Sequence, residues 1–280
     1  MKVSAYFRLM RFNKVSGTLL LWFPTAWALW IANQGMPPFA LLGYFLAGTI
    51  LMRAAGCIAN DMADRHIDKH VKRTHLRPLT TGEISLLEAL VLLGILLLGA
   101  LYVVIQLPKI CFYYALAALF ITILYPFCKR FFEAPQFVLG LAFSMGIPMA
   151  YAASGIGFRL DMVVLFILNF AWIVSYDTMY AMADREDDLR IGVKSTAIFF
   201  KSHDKAVLLF LQIGFHSMWF FLSIKLKFSS LFYVFWCMAL LVLIYQQWLL
   251  RKNDSREYLR AFSSNVIYGL FMWCALVGGL

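Results

Sequence analysis

Charge is scarce in this chain: Asp, Glu, Lys and Arg make up 14% of its 280 residues, where a soluble domain carries about a quarter. Cysteine is rare as well, and the five present (Cys57, Cys111, Cys128, Cys237 and Cys274) are scattered without a CxxC pair. That pattern excludes a disulfide scaffold and reads as buried apolar thiols. Acids are outnumbered 15 to 25 by Lys and Arg, leaving a net charge of +10. Such a balance elsewhere suggests a polyanion partner, but membrane proteins collect Lys and Arg on their cytoplasmic side for another reason. What the chain does have is apolar surface: 62% hydrophobic and 17% aromatic residues, with a mean hydropathy of +0.75. Disorder and nucleic-acid binding are excluded, and the chain reads as an integral membrane protein in contact with bilayer lipid.

A crossing needs about 20 mostly apolar residues. Nine runs meet that length, at 15–33, 38–59, 84–106, 110–128, 136–154, 161–180, 206–224, 229–250 and 261–280. They leave short loops and no room for a separate soluble domain, so residues 1–280 read as one all-α, multi-pass membrane domain. Threading nine spans places twenty Lys and Arg on one side and four on the other, with Arg53 inside a span. The positive-inside rule then puts the N-terminus in the cytoplasm. The basic N-terminal segment lacks a small-x-small cleavage site and runs into a full-length span, so it reads as a first span and not a cleaved signal. With no Arg- and Ser-rich transit peptide before it, a bacterial inner membrane is expected.

Seven of the fifteen acids are Asp residues in two windows, Asn60-Asp61-Met-Ala-Asp64-Arg-His-Ile-Asp68 and Asp177 to Asp188. Each lies at the cytoplasmic end of a span, the second and the sixth. If the helices continue outward, Asn60, Asp64 and Asp68 share one face, and so do Asp177, Asp184 and Asp188. Like charges at that spacing repel unless a cation neutralises them, and ionisable groups at membrane depth are functional candidates by default. Oxygen-only ligands suit Mg²⁺, which a few carboxylates hold together with water and substrate phosphate. Arg65, Lys69, Lys72, Arg73, Arg77, Lys129, Arg130, Arg185, Arg190 and Lys194 ring the same surface. Acids for a metal with bases around them make a site for a diphosphate. His66 and His70 are four apart but lack a third soft ligand, and read as solvated. His216 stands alone in a span as a core residue. Arg53 lies seven residues before Asn60, two turns away on the same face. Its guanidinium suits a substrate carboxylate or a buried acid, and the sequence leaves both open.

These residues carry a family pattern. The stretch Arg53 to Asp68 resembles the NDxxDxxxD motif of the UbiA-type membrane prenyltransferases. Tyr176-Asp177-Thr-Met-Tyr180 through Asp184 and Asp188 to Lys194-Ser195-Thr196 is similar to that superfamily's second Asp motif, in the form of its 4-hydroxybenzoate branch. Tyr125-Pro-Phe-Cys-Lys129-Arg130 resembles the family's YxxxK element. The resemblance implies nine helices around a central cavity and Mg²⁺ held by Asn60, Asp64, Asp68, Asp184 and Asp188. It implies a catalytic set of Asp61, Asp64, Asp68, Asp177, Asp184 and Asp188. Substrate would be bound by Arg53, Arg65, Lys72, Tyr125, Lys129, Arg130, Tyr180 and Lys194. A polyprenyl diphosphate would alkylate 4-hydroxybenzoate ortho to its hydroxyl, giving a ubiquinone precursor. Homogentisate, a naphthoate or haem are the acceptors of sister branches. CDP-alcohol transferases carry a different, Asp-Gly-rich spacing. A transporter would favour broken helices, midplane charges and inverted repeats. The acids here sit at span ends, with no matching cluster on the outer side.

Overall fold

The computed structural model describes residues 2–71 and 73–280, which are helical nearly throughout. In chain order the helices are α1 (Lys2–Leu9), α2 (Val15–Asn33), α3 (Phe39–Asp64), α4 (Pro78–Thr81), α5 (Leu86–Ile105), α6 (Lys109–Cys128), α7 (Pro135–Ser144), α8 (Gly146–Ala153), α9 (Leu160–Ile191), α10 (Thr196–Phe199), α11 (Asp204–Leu226), α12 (Ser230–Leu250) and α13 (Ser255–Gly279). Nine segments among the described residues are long and apolar enough to cross a membrane, α7 and α8 together forming the fifth. The chain is a multi-pass membrane protein. α2 packs on α3 and α13, α3 on α5 and α6, α6 on α7, α7 on α9, and α9 on α11 and α13, so the helices close into a ring.

Three departures from the expected spans have local causes. The fifth span breaks at Met145, because Pro148 has no N–H for the Ser144 carbonyl and its ring crowds that oxygen. The sixth does not stop at 180: α9 runs 32 residues to Ile191, carrying the second Asp window on a continuous helix. Gly192 at φ +72° ends it in the left-handed conformation that glycine adopts without strain. α3 ends at Asp64, and Asp68 sits in a separate 3₁₀ turn, Asp68–His70. The expected three-residue face of Asn60, Asp64 and Asp68 is therefore corrected to two residues on a helix and one on a loop folded back beside it.

Lipid supplies no hydrophobic drive between helices, so packing and polar contacts hold the ring. Trp27 lies 5.0 Å from Trp172 and 5.2 Å from Trp219 between ring centroids, joining α2, α9 and α11. Gln212 donates to Gln246 and Gln246 to Ser264, stitching α11, α12 and α13. His216 is a core residue, stacked on Trp236 and 3.3 Å from the Tyr268 hydroxyl. The five cysteines are free thiols. At the start of α5, Ser85 and Glu88 form a capping box, and Glu88 also accepts from Lys2 and Tyr6, which docks α1. Ser85→Ala is expected to lower stability by about 1 kcal/mol. Thermal unfolding in detergent should show a drop in midpoint with activity retained below it.

Candidate active site

A cavity of about 1250 Å³ opens inside the ring, lined by α2, α3, α5, α6, α7, α8 and α9. Its mouth is polar. Asn60, Asp61, Asp64, Asp68, Asp177, Asp184 and Asp188 all line it, together with Arg11, Lys14, Arg53, Arg73, Arg77, Lys129 and Lys194. Both Asp windows thus meet across one space. Helix register arranges them in two tiers about 10 Å apart. Asn60, Asp64, Asp184 and Asp188 form the outer tier. Arg53 on α3 and Asp177 on α9, each seven residues earlier, form the inner one. From there an apolar arm runs along α5 and α6. Leu98, Leu101 and Leu116 line it while also being exposed on the molecule's outer face, so the arm opens sideways towards lipid.

The outer tier is held by cations. Lys129 Nζ donates to Asp64 at 2.8 Å and to Asn60 at 3.3 Å, and lies 5.3 Å from the Tyr125 ring centre. Arg73 makes a two-pronged contact with Asp184, at 3.0 and 2.5 Å, and stacks 4.3 Å over Tyr180. Lys194 is brought in by the loop after α9: its backbone N–H donates to the Lys129 carbonyl at 3.0 Å. That loop is pinned by Gln136, which accepts from the Thr196 N–H, and by the Thr178–Thr196 hydroxyl pair. Lys194 Nζ itself pairs with Glu133.

Asp61 and Asp68 are engaged differently. Arg11 Nη2 donates to both Asp61 oxygens, at 2.9 and 3.0 Å, and Arg77 Nη1 bridges Asp61 at 2.9 Å and Asp68 at 2.7 Å. Asp61 is 1% exposed. Clamped between two arginines, it anchors the segment between α1 and α2. Burial raises the Asp68 pKa above the usual carboxylate value, against the pull of Arg77. Partial burial, then the Arg11, Arg73 and Arg77 cations, lower the pKa of Lys14. An anion at the mouth would relieve that repulsion.

Not every expected base arrives. Arg65 turns outward, its Nε donating to exposed His66, and does not line the cavity. Arg130 donates to the Ala63 carbonyl and sits over Phe127, also outside. Both are expected from the sequence as substrate contacts and both lie outside the cavity, because one step along the chain from Asp64 or Lys129 turns a side chain by about 100°. Lys72 lies outside the described residues. In their place the structure brings Arg11, Arg73, Arg77 and Tyr176. Arg73 and Arg77 repeat at the four-residue spacing of the acids, a signal present in the sequence. Arg11 meets Asp61 across fifty positions and has no sequence signal.

Several buried polar atoms lining the cavity have no hydrogen-bond partner among the described residues: Arg53 Nε, Asp64 Oδ1, Tyr176 OH and Ser195 Oγ. Buried polar groups are seldom left so unless a ligand completes them. Among the described residues no three acids, histidines or cysteines converge as ligands in this arrangement. Even so, the donor set fits a hard divalent cation. Asn60, Asp64, Asp184 and Asp188 offer oxygen alone, Asp64 keeps one buried oxygen free, and Asp188 makes no ion pair among the described residues.

An all-helical membrane protein whose cavity joins an acid-and-base mouth to an apolar arm is built for a long amphiphile with an anionic head. A family model described as the UbiA prenyltransferase family matches residues 21–275, and the chain belongs to that family of membrane prenyltransferases. A Legionella pneumophila (strain Lens) protein named 4-hydroxybenzoate octaprenyltransferase is 56% identical over 273 residues, 98% of this chain and 97% of its own length. A Coxiella burnetii (strain CbuK_Q154) protein of the same name is 42% identical over 276 residues, 99% and 96% of the two chains. Among solved structures, an apo UbiA homolog from Aeropyrum pernix K1 matches with a TM-score of 0.82 at 19% identity, covering 94% of this chain and 98% of that one. A UbiA homolog from Archaeoglobus fulgidus bound to GPP and Mg²⁺ matches at 0.69 and 19%, covering 98% and 99%. These two establish the same fold.

Proposed function

We propose that this chain transfers a polyprenyl group from its diphosphate to the ring carbon ortho to the hydroxyl of 4-hydroxybenzoate, giving a ubiquinone precursor. The observation that carries the reading is the cavity itself: a diphosphate-type mouth, an apolar arm open to lipid, and between them an inner tier whose guanidinium has no ion pair among the described residues. The relatives' names point to the acceptor. Asn60, Asp64, Asp184 and Asp188 would hold Mg²⁺, which supplies charge neutralisation for the departing diphosphate. Lys129, Arg73 and Lys194 take up diphosphate oxygens, exchanging their carboxylate partners for phosphate. The allylic C–O bond breaks with its electron pair leaving on the diphosphate. The rings of Tyr125 and Tyr180, already under cations here, shield the allylic carbocation. Arg53 on α3 holds the acceptor carboxylate, and Asp177 on α9, across the inner tier, accepts from the phenol hydroxyl, enriching the ortho carbon. That carbon forms the new C–C bond and loses its proton to the released diphosphate, which restores the aromatic ring. We further propose that the N-terminus and the mouth face the cytoplasm, across a bacterial inner membrane.

Membranes from cells expressing the chain, given radiolabelled 4-hydroxybenzoate and a polyprenyl diphosphate, should form labelled lipid with Mg²⁺ and none with EDTA. Product with homogentisate or a naphthoate alone would move the chain to a sister branch. No transfer to any aromatic acceptor would overturn the reading.

A further inference from the structure

Arg53 is an oddly placed cation. Among the described residues no carboxylate lies within ion-pair distance of it, and its Nε is buried without a partner. Long cations on membrane helices normally find a counter-ion or reach for the interface. This one is instead laid flat against α2, over Gly17. A Cβ built on Gly17 would stand 2.3 Å from Arg53 Nη2, 2.8 Å from Nε and 2.9 Å from Cζ. Real side chains do not approach so closely, so the guanidinium occupies the volume that any other residue at 17 would fill. Gly17 has no need of glycine for its backbone, since it sits in the first turn of α2 with helical geometry. Glycine there costs about 1 kcal/mol of helix propensity relative to alanine. The one thing it provides is space for the Arg53 head.

We propose that Gly17 is a positioning residue for acceptor specificity: by having no side chain, it lets the Arg53 guanidinium lie where it meets the acceptor's carboxylate. This rests on the reading of Arg53 as the acceptor's anchor and adds the residue that sets its place. A guanidinium fork matches a carboxylate only in a narrow range of position and angle. The acceptor has its carboxylate and its hydroxyl at opposite ends of one rigid ring. Moving the anchor therefore moves the ortho carbon relative to the allylic carbon.

The test is favourable because the clashing atoms are the far end of a flexible side chain. Gly17→Ala displaces the guanidinium and leaves the helices in place, so the variant should fold. In detergent-solubilised full-length protein, the KM for 4-hydroxybenzoate is expected to rise about ten- to hundredfold in Gly17→Ala, the worth of one hydrogen bond to a charged group. The KM for the polyprenyl diphosphate should stay at the wild-type value. Gly43→Ala on α3, where nothing lies within 4 Å of the added carbon, should match wild type throughout. Without turnover, 4-hydroxybenzoate should raise the unfolding temperature of wild type and not of Gly17→Ala, while phenol, which lacks the carboxylate, should treat both alike. An unchanged acceptor KM in an active Gly17→Ala overturns the inference alone. A rise in the donor KM instead would assign Arg53 to the diphosphate and overturn it too. Wild type inert towards every aromatic acid overturns the functional reading and this inference with it.

Discussion

Asp64→Ala is expected to lower prenyl transfer by about 10²–10³-fold or more, the loss seen when one preorganised electrostatic contact to the reacting charge is removed. Asp64 is the residue on which the outer tier turns: it holds Lys129 at 2.8 Å and keeps its second oxygen buried and free. Removing it takes away a metal donor and leaves the Lys129 ammonium without its acid. Asp184→Ala should lose a similar factor, since Arg73 is then released from its two-pronged contact. The double variant should fall little further, because groups that act as one unit do not add. Radiolabelled product formation in membranes, normalised to protein, measures all three. Arg65→Ala and Arg130→Ala are the comparison: both side chains point away from the cavity, and their rates should stay close to wild type. A rate within a few-fold of wild type in Asp64→Ala would remove the outer tier from the mechanism.

Asp61→Ala is expected to fail differently, through stability. Its carboxylate is fully buried between Arg11 and Arg77, whose side chains are themselves mostly buried, at 18% and 14% exposed. Breaking such a pair leaves uncompensated buried charge and costs about 3–5 kcal/mol. The prediction is a sharply lower unfolding temperature in detergent and faster tryptic cleavage within residues 2–14, the segment that Arg11 ties down. Adding Arg11→Met to Asp61→Ala should restore part of the loss, because it removes one of the two stranded cations. An Asp61→Ala protein as stable as wild type would show that the network carries no weight. Loss of rate without loss of stability would return Asp61 to the catalytic set.

The two Asp windows separate cleanly into these behaviours only in three dimensions. On the sequence, Asn60, Asp61, Asp64 and Asp68 belong to one motif and look alike. In the fold, one step along α3 separates Asn60 from Asp61 by about 100°, so within the one cavity Asn60 meets Lys129 and Asp61 meets Arg11 and Arg77. The same step carries Arg65 away from Asp64 and Arg130 away from Lys129. Arg73, by contrast, crosses from the loop after α3 to Asp184 on α9, a join over more than a hundred positions.

The sequence by itself determined the solvent, the number of crossings and the chemistry. Long apolar runs can only be helices where water is absent, because each backbone group must then be satisfied within its own segment. Carboxylates and bases gathered towards helix ends, with Arg53 the exception inside a span, mark where charge is tolerated, and their four- and seven-residue spacing follows from 3.6 residues per turn. Tertiary structure alone decided which charges meet. Pairing depends on how α2, α3, α6 and α9 are rotated about their axes, and on loops that return to the mouth, such as the Lys194 loop held to Lys129. Rotation of that kind is set by packing between helices distant in the chain. No local pattern encodes it, and so the Arg11–Asp61 clamp and the Gly17 seat for Arg53 appear only once the helices are assembled.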